Sequence, residues 1–110
     1  MSGKIVVLVT CGSLDEGRRI GRALVEQRLA ACVNVAHAPV ESIYRWKGKV
    51  EAANEFLLII KTVRSRFGRL EDAVKRLHSY ETPEIIALPI EKGSRDYLSW
   101  ISDSVRSVSK

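Results

Sequence analysis

Residues 40–62, VESIYRWKGKVEAANEFLLIIKT, hold the most informative pattern in this chain of 110 residues. The tetrapeptide WKGK, residues 46–49, places a glycine between two extended runs, which predicts a tight turn and therefore a β-hairpin. If residues 50–62 form one strand, that strand spans roughly 40 Å. A single domain of this length has a diameter of roughly 35 Å, so the hairpin should project beyond its own core.

Three short apolar runs, rich in β-branched residues, predict the strands on either side of this hairpin. They are KIVVLVT (4–10), CVNVA (32–36) and EIIALPI (84–90). The second run is interrupted near Pro39, because proline has no N–H to donate to a neighbouring strand. This second run and the first arm of the hairpin are counted together as one interrupted strand, so the prediction contains four strands in total.

Apolar residues at helical spacing predict three helices, the first over roughly residues 14–29 and the second ending at His78. The capping residues are Ser13 with Glu16, Ser65 and Ser94. The residues that we expect to face inward are Phe67, Leu70, Val74 and Leu77 on the second helix and Tyr97, Leu98, Ile101 and Val105 on the third. A Ser/Lys-rich tail follows and is expected to fray.

The predicted order β-α-β-β-α-β-α indicates an α+β fold and one domain over residues 1–110. Its first six elements match the ferredoxin-like split βαβ arrangement, in which two helices cover one face of a four-stranded antiparallel sheet. The final helix is an addition. In this arrangement the third strand pairs with the first, and the first also pairs with the fourth.

The projecting hairpin predicts an oligomer. An exposed apolar strand end is an aggregation hazard unless another chain covers it, so we expect hairpins of neighbouring subunits to pair. Tyr44 and Trp46 lie two residues apart on one face of the hairpin and are the expected interface anchors. The alternative is a bulge near Ala52 and Ala53 that folds the hairpin back onto its own core.

Composition excludes several classes of protein. Hydrophobic residues make up 45% and charged residues 28%, which is typical of a globular chain. The net charge of +5 is spread along the chain, so it marks no nucleic-acid surface. No apolar run approaches the roughly 20 residues of a membrane helix, and the run at 4–10 is too short for a secretory signal. We therefore expect a cytoplasmic protein, with Cys11 and Cys32 as free thiols.

Five blocks of the sequence resemble the CutA divalent-cation-tolerance family. They are LAACVNV (29–35), SIYRWKGKV (42–50), EFLLIIKT (55–62), HSYETPEIIALPI (78–90) and YLSWI (97–101), in the family's order. The resemblance implies a ferredoxin-like subunit in a homotrimer of the PII type. It also implies a role in tolerance to copper and other divalent metals, and no enzymatic activity.

Two departures from the family pattern bear on the chemistry. The family usually has His-Pro-Tyr where this chain has His78-Ser79-Tyr80, and some members have a second histidine where Leu77 stands. Cys11 is not part of the family pattern and is given no role, whereas Cys32 matches it.

The segment LHSYETPEI, residues 77–85, supplies the candidate metal ligand, His78. The metal expected there is copper(II) or another divalent ion. A lone histidine often serves only to satisfy a hydrogen bond, so a structural role for His78 stays open beside the metal role.

A polar cleft is the second candidate site. Lys61 is expected to approach Glu84 of the same or a neighbouring chain, and Glu55 lies six residues from Lys61 on one face of the strand. The expected cleft residues are Cys32, Glu55, Lys61, Tyr80 and Glu84, with His78 beside them. Such a cleft would hold a small anion or a metal chelate. The alternative is a Lys–Glu pair that only supports the trimer.

Two further functions compete with metal tolerance. A PII-like trimer that senses a small anionic ligand between subunits fits the basic charge balance, although the chain has no Gly-rich phosphate loop. RNA binding on this fold requires exposed aromatic residues on the central strand. That strand contains only Phe56 and is apolar on both faces, so no nucleic-acid partner is expected.

Overall fold

The computed structural model describes residues 3–106, which form five β-strands and three α-helices. The elements are β1 (Lys4–Cys11), α1 (Leu14–Glu26), β2 (Cys32–Val35), β3 (Val40–Trp46), β4 (Lys49–Val63), α2 (Phe67–Leu77), β5 (Ile85–Pro89) and α3 (Arg95–Ser104). A short 3₁₀ turn, Arg64–Arg66, leads into α2. The α+β class is therefore confirmed, and the tail that was expected to fray lies outside the described residues.

The sheet is antiparallel, with the strand order β2-β4-β1-β5 and with β3 also paired to β4. These pairings agree with the prediction, in which the strand that became β4 pairs with β1 and β1 also pairs with the last strand, β5. The prediction of four strands is wrong, because residues 32–46 form two strands. Val35 pairs with Leu58 and Val40 pairs with Glu55, so four residues on one side face two on the other. The ladder breaks over this mismatch, next to Pro39.

The β3–β4 hairpin projects as expected. Its turn residues Lys47 and Gly48 have φ angles of 50° and 82°, which is the left-handed pair that a two-residue hairpin turn requires. Pairing is continuous from Trp46–Lys49 to Val40–Glu55, so no bulge occurs near Ala52 and Ala53. The described residues extend 48 Å along their longest axis, and their radius of gyration is 14.7 Å. A compact domain of this length would have about 13 Å.

The core lies between one face of the sheet and the helices α1 and α2. Alternate residues of β1 and β4 point into it, with Val7, Val9, Leu58 and Ile60 fully buried. Gly17 and Gly21 of α1 permit the close approach of helix and sheet. A Cβ at Gly21 would lie 3.0 Å from the Val33 side chain, and one at Gly17 would lie 3.2 Å from Leu58, so larger residues would push the layers apart.

The opposite face of the sheet is apolar and partly open. Leu8 pairs with both Ile59 and Ile86, and Val6 pairs with Leu88, so these side chains share one face. Ile86 and Leu88 are 50% and 49% exposed. We call Val6, Leu8, Ile59, Ile86 and Leu88 the open sheet face. The helix α3 packs at one end of the sheet, where Ala31, Ile101 and Val105 form a second small core that Val63 and Ile90 pack against.

Several details of the helices differ from expectation. Helix α1 ends at Glu26 rather than near residue 29, and Leu29 is buried beyond it. Ser65 does not cap α2, because the 3₁₀ turn makes Arg66 the residue before the helix, with helical φ and ψ and no side-chain cap. Tyr97 is 42% exposed rather than inward. The remaining serine caps, at Ser13 and Ser94, are confirmed by hydrogen bonds to the third residues of their helices.

Candidate functional site

The end of β1 lies beside the segment that joins α2 to β5. Because β1 and β5 are antiparallel and Val9 pairs with Ile85, the residues that follow Val9 meet those that precede Ile85. Cys11 also pairs with Phe56 of β4. The end of β1, the middle of β4 and residues 78–84 therefore meet in one region.

His78 is the first residue after α2 and is only 8% exposed. Its Nδ1 accepts a hydrogen bond from the Tyr80 amide at 3.0 Å, and its Nε2 lies 2.7 Å from the Thr10 carbonyl oxygen. Since Nδ1 accepts, Nε2 carries the proton and donates it to that carbonyl. Both nitrogens of a neutral imidazole are therefore engaged within the protein.

Glu16 in the first turn of α1 is 6% exposed and joins the same cluster. Its carboxylate accepts hydrogen bonds from the amides of Gly12 at 3.3 Å and Ser79 at 2.8 Å. The predicted capping box is therefore only half formed, since Glu16 reaches Gly12 rather than Ser13. Burial opposes the charge, but the hydrogen bonds from Ser79 and the nearby His78 leave the pKa of Glu16 below its ordinary value.

Cys11 completes a group of three potential metal ligands. One ligand atom from each of Cys11, Glu16 and His78 lies within 4.8 Å of the others, and all three residues are buried. Burial, with the charges of Glu16 and Glu55 as smaller causes, raises the pKa of the Cys11 thiol to about 12. The thiol is therefore protonated at neutral pH. We call these three residues the buried ligand cluster.

A cavity of about 700 Å³ lies next to this cluster, between the hairpin and the segment before β5. We call it the hairpin cleft. It is lined by Thr10, Ser42, Ile43, Tyr44, Trp46, Glu55, Tyr80, Glu81, Thr82, Pro83 and Glu84. Three of these residues are aromatic and three carry carboxylates. The lining contributed by the described residues includes no lysine, arginine or histidine.

Two hydrogen bonds order the wall of the hairpin cleft. The Tyr80 hydroxyl donates to Glu55, which is 9% exposed. Burial first, and then this bond and the charge of Glu55, raise the pKa of Tyr80 to about 12. On the other strand the Thr10 hydroxyl donates to Glu84 Oε1 at 3.5 Å. The structure therefore brings together Glu55, Tyr80 and Glu84, as the sequence led us to expect.

Lys61 and Cys32 are not part of this grouping within one chain. Lys61 pairs with Val6 and Cys32 in the sheet, and its Nζ contacts the Asn34 side-chain oxygen. It lies six residues from Glu55 along β4, which is roughly 20 Å. The pKa of Tyr97 is raised, chiefly by burial. A smaller cause is the Cys32 thiol, which hydrogen-bonds the Tyr97 hydroxyl. Contact of Lys61 with Glu84 of a neighbouring chain stays a prediction.

Sequence reasoning missed two members of the buried ligand cluster. Cys11 was given no role, and Glu16 was interpreted only as a capping residue. A signal was present, since antiparallel pairing of the first and last strands places residue 11 beside the segment that contains His78. Cys11 and His78 are too far apart in the sequence for a motif of fixed spacing to identify them as members of one site.

Comparison with known proteins agrees with this architecture. The family model described as the CutA1 divalent ion tolerance protein matches residues 5–104. The chain is 50% identical to the divalent-cation tolerance protein CutA of Thermus thermophilus over 99 residues, which are 90% of this chain and 95% of that protein. It is 46% identical to the protein of the same name from Archaeoglobus fulgidus, with the same coverage of both chains.

A solved structure also matches the whole fold. The structure of the periplasmic divalent cation tolerance protein CutA from Archaeoglobus fulgidus superposes with a TM-score of 0.90 at 45% sequence identity. The match covers 94% of this chain and 99% of that chain, so it includes the hairpin and the third helix.

Proposed function

This chain belongs to the CutA1 divalent ion tolerance family, and on that premise we propose that it supports tolerance to divalent cations by binding the metal directly. The observation that carries the proposal is the buried ligand cluster of Cys11, Glu16 and His78. No chemical conversion is proposed, since the metal is bound and released unchanged.

The donor types suit a borderline divalent metal. A thiolate, an imidazole and a carboxylate are the ligand set that copper(II) and zinc share, whereas magnesium and calcium prefer oxygen alone. The proposed metal ligand His78 acts here together with Cys11 of β1 and Glu16 of α1. The position of the cluster at the joint between β1 and α2 links any metal bound there to the packing of the domain.

Metal entry carries a defined cost. The Cys11 thiol must release its proton, and the His78 Nδ1 must exchange the Tyr80 amide for the metal. Ser79 and Glu81 are exposed, so the segment that covers the cluster borders solvent. Binding should therefore be coupled to proton release and to a rearrangement of residues 79–84.

Cobalt(II) titration tests the direct-binding proposal without oxidising the thiol. Wild-type protein should develop a near-ultraviolet thiolate-to-cobalt band that saturates at micromolar metal, and copper(II) should compete for the same site. C11S should lose the band, while C32S serves as the matched control and should keep it. No saturable band in the wild type, or loss of the band in C32S alone, would remove the proposal.

The assembly proposed for this function is a homotrimer. Two features support it: the open sheet face, with Ile86 and Leu88 half exposed, and the long projecting hairpin that carries Tyr44 and Trp46. In such a trimer the hairpins would extend the sheets of neighbouring subunits. Light scattering during gel filtration measures the mass, and a monomer at micromolar concentration would refute the assembly.

We further propose a cytoplasmic protein without a nucleic-acid partner. In residues 3–106 no helix is long and apolar enough to cross a membrane. The related Archaeoglobus fulgidus protein is described as periplasmic, so the compartment needs its own measurement. Fractionation of cells that express the full chain distinguishes a cytoplasmic from a periplasmic location. Recovery of the protein in a periplasmic extract would overturn this part of the proposal.

A further inference from the structure

A groove on the helix side of the sheet has the opposite charge to the hairpin cleft. It lies between α1 and the edge strand β2, and its volume is about 590 Å³. Its lining includes Arg18, Arg19, Arg22 and Val25 of α1 and Val33 and Val35 of β2. We call it the arginine groove. It shares no residue with the cleft in which the sequence suggested a small anion.

The arginine groove is separate from the surfaces proposed for assembly. Val33 pairs with Ile60 and Val35 pairs with Leu58, both fully buried in the core, so the two valines point towards α1 and away from the open sheet face. No described residue of the β3–β4 hairpin or of the open sheet face lines the groove. The arginines belong to the helix layer, so a strand that joined the sheet in its own plane would leave them exposed. The groove should therefore persist in a trimer built through the hairpins.

The stability of α1 does not explain its arginines. Arg18 and Arg22 are four residues apart on one helix face, and like charges at this spacing repel. The last turn, where the helix dipole favours a cation, has no basic residue and ends in Glu26. In residues 3–106 the side chains of Arg18 and Arg22 make no hydrogen bond or ion pair. Their charges are therefore available to a ligand.

Two other charged groups at the groove modify its field. Arg19 also lines it, and its Nη2 donates a hydrogen bond to the Leu77 carbonyl at 3.4 Å, which leaves its other donors and its charge in place. Glu26 is the one carboxylate in the described lining. Three guanidinium groups against one carboxylate leave an excess of positive charge, so the groove attracts anions.

The geometry of the two free arginines suits phosphate. Their Cβ atoms are roughly 5–6 Å apart at this helical spacing, and each guanidinium presents a planar fork that matches two oxygens of one anion. A phosphate monoester carries close to two negative charges at neutral pH and three terminal oxygens, so it can engage both forks. A carboxylate has one charge and two oxygens. Phosphate is therefore the favoured head group.

We propose that the arginine groove binds an organic phosphate, with its phosphate on Arg18 and Arg22 and its apolar part on Val25, Val33 and Val35. Val25 is 42% exposed and the other two valines are partly buried, so an apolar surface lies beside the charges. The volume of about 590 Å³ falls within the usual range of small-molecule sites, roughly 300–1,000 Å³. This site does not depend on the metal proposal, because it shares no residue with the buried ligand cluster.

Calorimetric titration of the assembled wild-type protein with phenyl phosphate tests the proposal, in a metal-free buffer without other phosphate. The heat should saturate in the millimolar range or below. Inorganic phosphate lacks the apolar part and should bind about tenfold more weakly. Phenol lacks the charge and should give no saturable heat. Added sodium chloride should weaken the binding of phenyl phosphate, because the arginines are exposed.

Variants separate the site from the overall charge. The double variant R18Q/R22Q should weaken phenyl phosphate binding at least tenfold, since it removes both forks. R69Q/R76Q is the matched control, because it removes two exposed arginines from α2 outside the groove, and it should leave binding unchanged. V25S should weaken the binding of phenyl phosphate but not that of inorganic phosphate. Circular dichroism checks each fold, and V25S carries the test if R18Q/R22Q does not fold.

Three results would overturn the proposal. They are no saturable heat with phenyl phosphate, equal affinities for phenyl phosphate and inorganic phosphate, and equal losses in R18Q/R22Q and R69Q/R76Q. The last result would reduce the effect to the net charge of the protein. Failure of the metal proposal would be distinct, because C11S should lose cobalt binding and keep the phenyl phosphate titration, whereas R18Q/R22Q should do the reverse.

Discussion

His78 Nε2 lies 2.7 Å from the carbonyl oxygen of Thr10, so the end of α2 is tied to the end of β1. The same ring accepts the Tyr80 amide at its other nitrogen. One side chain thus connects a helix, a strand and the segment that forms the rim of the hairpin cleft. The histidine that looked like an isolated metal ligand holds the two candidate sites in their relative positions.

Replacement of His78 by alanine should destabilise the fold. H78A leaves the Thr10 carbonyl and the Tyr80 amide without their partner and opens a buried cavity, which should cost about 2–4 kcal/mol. Denaturant unfolding at equal protein concentration measures the loss. H37A is the matched control, because His37 is exposed, and it should change the free energy of unfolding by less than about 0.5 kcal/mol. Equal stability of the two variants would contradict this role.

Metal affinity should increase with pH. The pKa of Cys11 is raised to about 12, so the thiol is protonated throughout pH 6–9 and must lose its proton to bind metal. If one proton is released for each metal, the association constant rises about tenfold per pH unit. Cobalt(II) titrations at three pH values in weakly coordinating buffers measure the slope. A flat profile would show that Cys11 is not a ligand.

Glu16 should stabilise the fold only while it is ionised. Its folded-state pKa is depressed, so its contribution is full above its ordinary value of 4.5 and is lost as the pH falls through the folded-state value. E16Q should therefore cost about 1–2 kcal/mol at pH 7, and the difference from wild type should shrink in acid. Unfolding of both proteins at neutral and acidic pH measures it. E26Q, at an exposed position on the same helix, should match wild type at each pH.

A charge on the open sheet face should break the assembly. Ile86 is 50% exposed and stands opposite Leu8, so I86D would place a carboxylate in the apolar surface proposed to be covered by other subunits. Light scattering should then report a smaller particle than the wild type. V25D changes a residue of similar exposure, 42%, on α1 and should keep the wild-type mass. An unchanged mass for I86D would place the interface elsewhere.

Much of the fold follows from local patterns. The turn at Lys47 and Gly48, the alternation along β1 and β4 and the end of α2 at His78 each depend on a few neighbouring residues. The errors also have local causes. Ser65 is a suitable capping residue, but a 3₁₀ turn occupies its position, and the break at Pro39 separates two strands where one was expected.

The candidate sites were only partly predictable. Glu55, Tyr80 and Glu84 converge because the end of β1 lies between the middle of β4 and the segment before β5, a relation that the strand order already implied. Lys61 shares a strand face with Glu55, yet a same-face position does not bring residues together when roughly 20 Å of strand separates them. Register, and not the face alone, determines which side chains meet.

By itself the sequence determined most of the elements, the order of the helices among the strands and the projecting hairpin, since periodicity and turn chemistry act over a few residues at a time. Only the tertiary structure decided that Cys11, Glu16 and His78 meet and that Lys61 stands apart from the acidic cleft. Such contacts depend on how strands align and how α2 docks on the sheet. Those alignments are set by packing over the whole domain, because burial of the core depends on how all of its side chains fit together and not on any short motif.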